Sequence, residues 1–270
     1  MAELVPRFKE EHVFVIEAFI VHSVRESGRK SVVIGLSGGV DSALVAKLCA
    51  DALGPDRVLA LALPDGKGGK DFRDAKKFAK ALGITFGVVN IGPTANSFER
   101  RLRASASPNP VAQGNLRART RMAVLYYVAN TEERVVMGTG NKSEILVGYT
   151  TKFGDCAADF LPIGDLYKTQ VLGMARHLGL PSEIADKVPT AGLWPGQTDE
   201  GELGIKYAEL DRILLGIELQ LEPDAIAEKA GVPLERVQHV EALVASSVHK
   251  RKMPLIPKVG VRTVGLDWRE

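Results

Sequence analysis

The chain has 270 residues, with 35 Lys plus Arg against 33 Asp plus Glu and only two cysteines. Apolar residues at 45% and charged residues at 25% are the composition of an ordinary globular protein, which excludes disorder, collagen and coiled coil. A formal net charge of +2 is too small for bulk attraction to nucleic acid or acidic membrane, so any anion site must come from local arrangement.

Read in chain order, residues 1–12 hold Glu3, Glu10 and Glu11 and lack the basic-then-apolar layout of a secretory leader. Cys49 and Cys156 form neither a disulfide framework nor a C-x-x-C pair. The apolar run 122–129 falls far short of a membrane span. A cytoplasmic protein is expected. Val13, Ile16, Ile20 and Val24 recur at helical spacing and predict a helix over 12–25, ended by Gly28. Residues 31–36 are uncharged and β-branched, a buried strand. A helix over 42–53 stops at Gly54-Pro55, a strand follows at 58–63, a helix at 71–82 ends at Gly83, and a third strand covers 85–90. Helices over 92–104 and 114–130 flank a loop with Ser107-Pro108-Asn109-Pro110 and lead to a fourth strand at 134–139. This alternation predicts a parallel sheet with right-handed crossovers and helices on both faces. After Gly140 the strand signal fades, and helices are expected over 142–146, 168–178, 205–217, 223–230 and 233–247. No linker-like shift in composition occurs, so the expectation is one domain over 1–270, an α/β core at about 30–140 and a mainly helical remainder.

Chemistry concentrates first in Ser37-Gly38-Gly39-Val40-Asp41-Ser42, between a buried strand and a helix start. Adjacent glycines let the backbone approach a ligand, and the helix end points free N–H groups and positive potential at the same place. Ser37 and Ser42 add hydroxyls, and Asp41 puts a carboxylate where a hard cation can bridge to an anion. A tight turn capped by Ser42 is the plain structural alternative. The loop is neither G-x-x-x-x-G-K-[ST] nor G-x-G-x-x-G, and in Gly138-Thr139-Gly140-Asn141-Lys142-Ser143 an Asn stands where a Walker glycine belongs.

The Ser37–Ser42 string resembles the SGGxDS pyrophosphate loop of the N-type ATP pyrophosphatases, which adenylate a substrate and release pyrophosphate. That fragment leaves the substrate open. Gln113-Gly-Asn-Leu-Arg-Ala-Arg-Thr-Arg-Met122 resembles the QGN-x-x-AR-x-R-M helix of NAD synthetases, and Gly138-Thr-Gly-Asn-Lys-Ser-Glu144 with Gly148-Tyr-Thr-Thr-Lys-Phe-Gly-Asp155 resembles a further segment of that family. Asp159-Phe-Leu-Pro-Ile-Gly-Asp-Leu-Tyr-Lys168, Pro189-Thr190, Gln197-Thr-Asp-Glu200, Glu202-Leu-Gly204 and His249-Lys-Arg251 continue in register. From about residue 32 to 254 the chain is similar to the single-domain, ammonia-dependent NAD synthetases in their archaeal form.

The resemblance implies a doubly wound α/β fold of the adenine nucleotide alpha-hydrolase-like kind with a helical C-terminal third. It implies a ligase that amidates deamido-NAD to NAD with ATP and ammonia, releasing AMP and pyrophosphate. Carried over residue by residue, it gives ATP contacts to Gly35, Leu36, Ser37, Gly38, Gly39, Val40, Asp41, Ser42, Thr139, Lys168 and Thr190, and Mg²⁺ to Asp41 and Glu144. It gives deamido-NAD contacts to Arg119, Lys152, Asp159, His249 and Lys250, and puts Asp155 near the ammonia as a candidate proton acceptor. It further implies a homodimer with the substrate site across the interface, no glutaminase domain, and no nucleic-acid or membrane partner.

Each residue also has a plainer reading. Arg119 lies about 200° round the helix from Arg117 and Arg121, which share a face and read as surface or interface residues. Without the motif, Arg119 is a solvated arginine and Glu144 a helix N-terminal acid. Lys168, a mobile point charge, suits polyphosphate. Residues 122–129 are apolar on every face, which predicts burial on all sides, by core or by a second subunit. The loop 149–162 is polar and long, as functional loops are. Two departures from the family stand out. Gly66-Lys67-Gly68-Gly69-Lys70-Asp71 is Lys- and Gly-rich where relatives usually have a Ser-containing loop, and Cys156 replaces a frequent Gly.

Three alternatives remain at this level. A non-catalytic nucleotide sensor is disfavoured by the two separated acidic residues and the polar loop, which leaves two. One is another ATP pyrophosphatase, such as a tRNA-modifying enzyme, although no catalytic Cys pair or basic RNA platform is evident. The other is a helix–turn–helix over 223–237 with a basic run after it, disfavoured because Glu235 and Glu241 on the second helix repel phosphate.

Overall fold

The computed structural model describes residues 4–102, 107, 109–190, 192, 196–264 and 267. Four strands, β1 (Val32–Gly35), β2 (Val58–Ala62), β3 (Thr85–Val88) and β4 (Val135–Met137), form one parallel sheet in the order β3-β2-β1-β4. Register runs Val32 opposite both Val58 and Val135, and Leu59 opposite Thr85. The central strands are buried, except at Gly35 where β1 reaches the cavity, and carry the uncharged apolar sequences that two covered faces require. Edge strand β3 is exposed at Thr85 and ends at Val88, two residues short of its predicted end.

Alternate side chains of β1 go to opposite faces. Val32 and Ile34 pack with Ile16, Ile20 and Val24 of α1 (Glu11–Glu26), with α2 (Val40–Leu53), and with Ala75, Phe78 and Ala79 of α3 (Lys70–Leu82). Val33 joins Leu59, Leu61 and Val136 on the other face, covered by Val124, Leu125, Val128 and Ala129. The last four belong to α5 (Pro110–Thr131), which follows α4 (Gly92–Leu102). Helices therefore lie on both faces, and the fold is α/β and doubly wound as expected. Helix α5 starts four residues before its predicted start, because Asn109 Oδ1 caps Val111 N and Ala112 N and Pro110 opens the first turn. The predicted helix end at 103–104 lies outside the described residues.

Within one chain, α5 is not buried on all sides. Ala129 is buried, but Ala123 is exposed and Tyr127 is 73% exposed. Residues 122–129 are apolar all round, yet the sheet covers only one side.

After β4 the chain is helical: α6 (Lys142–Val147), α7 (Lys168–His177), α8 (Ser182–Ala185), α9 (Asp199–Leu203), α10 (Tyr207–Glu218), α11 (Pro223–Ala230), α12 (Leu234–Ser246) and α13 (Val248–Arg251). Helix α7 packs on α2 and adds Val171 and Met174 to the core that holds Val32 and Ile34. Val147, Leu210, Ile213, Leu214, Ile226, Val237 and Val240 form a separate core beneath α6 and α10–α12. Arg236 in the first turn of α12 turns back onto its own chain, donating to the Gly204 carbonyl at 2.7 Å, which leaves no basic start for a groove-reading helix. No helix among the described residues is long and apolar enough to cross a membrane.

Candidate functional site

From β1 the chain moves to β2 and β3 on one side, then crosses back to β4 on the other. The connections leaving β1 and β4 diverge there and open a crevice at the carboxyl edge of the sheet, the place where α/β folds bind ligands. Leu36–Gly39 and Gly138–Asn141 form its two lips, and the cavity they open has a volume of about 850 Å³.

The first lip is set by its own serines. Ser42 Oγ accepts from Ser37 N at 3.2 Å and donates to Gly39 O at 3.1 Å, while Ser37 Oγ accepts from Gly39 N at 3.2 Å. The two hydroxyls are 3.0 Å apart. Gly38 has φ +85°, and a Cβ there would lie 2.3 Å from the Asp71 carbonyl oxygen, so both conformation and space demand glycine. Behind the loop, the first N–H groups of the 14-residue α2 have no intrahelical acceptor and face the crevice.

The second lip is set by a capping box. Asn141 Oδ1 accepts from Glu144 N at 3.1 Å and Glu144 Oε2 accepts from Asn141 N at 3.3 Å. Asn141 Nδ2 also donates to Asp41 Oδ1 at 2.9 Å, tying the two lips together. Between them lies the ammonium of Lys168, first residue of α7, 2.5 Å from Asp41 Oδ2 and 3.4 Å from Glu144 Oε1, with its side chain 2% exposed. Burial works against the charge on Lys168, but Asp41 and Glu144 outweigh it and hold the ammonium firmly protonated. Burial raises the Glu144 carboxyl well above the usual range, Lys168 opposes that rise, and Asp41 adds to it.

Lys168 is anchored from below by Asp211 of α10. Asp211 is fully buried; its Oδ1 accepts from Ser143 Oγ at 2.5 Å and its Oδ2 from Thr169 N at 2.8 Å, while Ser143 Oγ accepts from Lys168 N at 2.9 Å. One carboxylate thereby fixes the starts of both α6 and α7.

Gly35, Leu36, Ser37, Gly39, Val40, Asp41, Ser42, Thr139, Glu144, Lys168, Thr190, Asp155 and Lys250 all line the cavity. Gly38 lies within the same loop. Asp155 Oδ1 accepts from Thr151 N at 2.7 Å, and burial raises its carboxyl above the usual range. Arg119, Lys152 and His249 gather on the outer rim: Arg119 donates to the Lys152 carbonyl at 3.2 Å, and Lys152 Nζ to the His249 carbonyl at 2.7 Å. Lys250 Nζ joins that rim to the cavity through the carbonyls of Gly148 and Thr150 at 2.6 and 2.9 Å. Asp159 stands apart, accepting from Val136 N at 2.8 Å and Tyr126 Oη at 3.1 Å.

Two arginines read as surface residues are drawn inward instead. Arg117 pairs with Asp65 and Glu99, bracing α4 and the end of β2 against α5. Arg121 lines the cavity and donates to the Leu63 carbonyl at 3.0 Å. Helical spacing placed them correctly on one face, but could not reveal that this face turns toward β2. The sequence reading also gave no role to Asp199, which is 4% exposed, accepts from Tyr207 Oη at 3.1 Å and leaves its Oδ1 without a partner among the described residues. Burial raises its carboxyl too. Its only sequence signal was its place in the Gln197–Glu200 motif.

A glycine-rich anion loop at the switch point of a parallel sheet, whose Asp41 shares a buried lysine with Glu144, defines a nucleotide-binding α/β protein. The pattern of the NAD synthase family matches residues 12–254, and the chain belongs to that family. An NH(3)-dependent NAD(+) synthetase of Thermococcus sibiricus is 46% identical over 243 residues, 90% of this chain and 94% of the relative. One of Pyrococcus horikoshii is 47% identical over 247 residues, 91% and 95% of the two chains. Among solved structures, the NMN synthetase of Francisella tularensis superposes with a TM-score of 0.81 at 35% identity, covering 92% of this chain and 98% of that one. The NH3-dependent NAD synthetase of Campylobacter jejuni gives 0.78 at 30% identity with the same coverage.

Proposed function

We propose that the protein is an ammonia-dependent NAD synthetase, a ligase that forms the C–N bond of the nicotinamide group with ATP as co-substrate. The observation that carries this is the Ser37–Ser42 loop, whose Asp41 meets Lys168 together with Glu144 from the second lip, in one cavity of a NAD synthase family chain. A carboxylate is a poor electrophile, and adenylation cures this. The nicotinate carboxylate of deamido-NAD attacks the α-phosphorus of ATP, giving an acyl-adenylate and pyrophosphate. Ammonia then attacks the acyl carbon, AMP leaves, and NAD results. The chain's part is positioning and charge stabilisation: the loop N–H groups and serine hydroxyls receive the departing pyrophosphate, and Lys168 supplies a fixed positive charge beside it. Asp155, whose Oδ1 accepts from Thr151 N at the cavity wall, takes the proton that ammonium must lose.

Mg²⁺ belongs at Asp41 and Glu144. The donor set fits: both carboxylates already reach one cation, the Lys168 ammonium, and Mg²⁺ favours one or two carboxylates completed by substrate phosphates. When bound it supplies charge neutralisation for the polyphosphate. The rim formed by Arg119, Lys152 and His249, with Lys250, receives the dinucleotide, and Asp159, set apart beside Val136 and Tyr126, makes a further contact to it. The uncovered side of α5, with Tyr127 outward, is the surface for a second copy of the chain, and the enzyme works in the cytoplasm.

Chromatography of products from ATP, Mg²⁺, deamido-NAD and ammonium tests this. NAD, AMP and pyrophosphate in equal amounts are expected, with none from Asp41→Ala; ADP, or an unchanged dinucleotide, overturns it. The likeness to the Francisella NMN synthetase favours one second reading, the mononucleotide acid as substrate, so nicotinate mononucleotide belongs in a parallel arm.

A further inference from the structure

We propose that Lys187 is a second phosphate-binding cation of this cavity, parked on Asp71 until a polyphosphate arrives. The inference rests on the adenylating reading above. Lys187 follows α8 and lies three residues before Thr190 on the same cavity wall. Its Nζ donates to the carbonyl oxygen of Gly38 at 3.2 Å and pairs with Asp71 Oδ1. The contact is therefore with the backbone of the anion loop itself.

The charge balance of the site calls for such a cation. Lys168 is already shared between Asp41 and Glu144, so the loop's surroundings hold two carboxylates and one committed ammonium. A triphosphate brings several further negative charges to the same spot. Lys187 touches the loop backbone and is held by no buried carboxylate: its partner Asp71 is 54% exposed, and the Lys187 side chain itself is 22% exposed. A partly exposed pair of this kind contributes little to stability, so exchanging Asp71 for phosphate oxygens costs little. A flexible point charge also suits a polyphosphate better than a rigid fork does.

This gives the Gly66–Asp71 segment a role. Glycines at 66 and 68 have positive φ, and the segment swings Asp71 so close to Gly38 that a Cβ there meets the Asp71 backbone. Asp71 thus holds Lys187 beside the anion loop without entering it. The ligand is the β- and γ-phosphates of ATP, and afterwards the pyrophosphate they become.

Calorimetric binding of pyrophosphate with magnesium chloride, and separately of AMP, to the full-length protein tests the proposal, alongside thermal melts. Lys187→Gln is expected to weaken pyrophosphate binding roughly 10–100-fold, the worth of a charge-assisted contact, and to leave AMP binding unchanged. Lys187→Arg retains most of it. Asp71→Asn, which frees the lysine, binds pyrophosphate as tightly as the parent or more tightly. Unchanged pyrophosphate affinity in Lys187→Gln overturns the proposal. So does Asp71→Asn weakening it as much as Lys187→Gln does, since the pair is then only a brace for Gly38. A parent protein that binds pyrophosphate but makes no amide overturns the proposed function and leaves this inference standing.

Discussion

Lys168 Nζ lies 2.5 Å from Asp41 Oδ2, joining the first turn of α7 to that of α2 across 127 positions of sequence. The lysine side chain is 2% exposed, so this is a buried charge whose partners decide its cost. Lys168→Met removes the ammonium and leaves Asp41 and Glu144 facing each other without it. Removing one partner of a buried pair costs about 3–5 kcal/mol, and urea unfolding of the ligand-free variant should show a loss in that range. Added magnesium should restore part of it, because a divalent cation answers the same two carboxylates. Unfolding indistinguishable from the parent, with and without magnesium, contradicts this account.

Asp211 carries a comparable structural load far from the substrate. It satisfies Thr169 N and Ser143 Oγ, and through Ser143 it fixes Lys168 N. Asp211→Ala strands two buried donors, a loss of roughly 2–4 kcal/mol on unfolding. Asp211→Asn is expected to fall between the two, since one amide oxygen can accept only from one side of the former pair. Amide exchange at Thr169 gives the local readout and should quicken in both variants.

At Gly38 the expected defect is confined to the loop. Gly38→Ala pushes a Cβ into the Asp71 carbonyl at a φ of +85°, so either α3 retreats or the loop changes conformation. Strain of this type costs about 1–3 kcal/mol. The KM for ATP should rise roughly 5- to 150-fold while the KM for deamido-NAD stays within about twofold, given the 1.4 kcal/mol per decade relation. Equal rises in both constants point to a general collapse of the cavity instead.

Much of this architecture is legible in the amino-acid order. The uncharged strands, the glycine stops and the Ser37–Ser42 string are local signals, and each fell within a few residues of its predicted place. What stayed hidden depends on tertiary orientation. Arg117 meets Asp65 and Glu99 only because α4 and the end of β2 converge on α5, a fact no helical wheel contains. Arg117→Ala accordingly leaves two acids unpaired where a solvated arginine would leave none. The short helices α8, α9 and α13 span too few residues for a period to show. Lys187 and Asp199 gain their places from loops whose course only the packed fold sets.

Asp155 allows a test in which the sign of a pH effect matters. Burial raises its folded-state carboxyl above the ordinary range, while Thr151 N and Lys250 act in the opposite direction without cancelling the rise. The folded protein thus holds this proton to a higher pH than the unfolded chain does. Stability from this group is greatest at low pH and declines as pH climbs from the ordinary carboxylate range through the raised value. Asparagine keeps an oxygen for Thr151 N but has no proton to lose. The stability of Asp155→Asn relative to the parent should therefore improve as pH climbs above the ordinary carboxylate range and the raised carboxyl ionises. The same variant loses the proton acceptor, so its rate of NAD formation should fall roughly 10²–10⁴-fold, the usual contribution of a positioned base. If the rate falls but the relative stability is flat across that range, the carboxylate is already ionised in the folded state and its role is to hold Thr151 and its neighbours in place. If the stability trend appears and the rate survives, the ammonia proton leaves by another group.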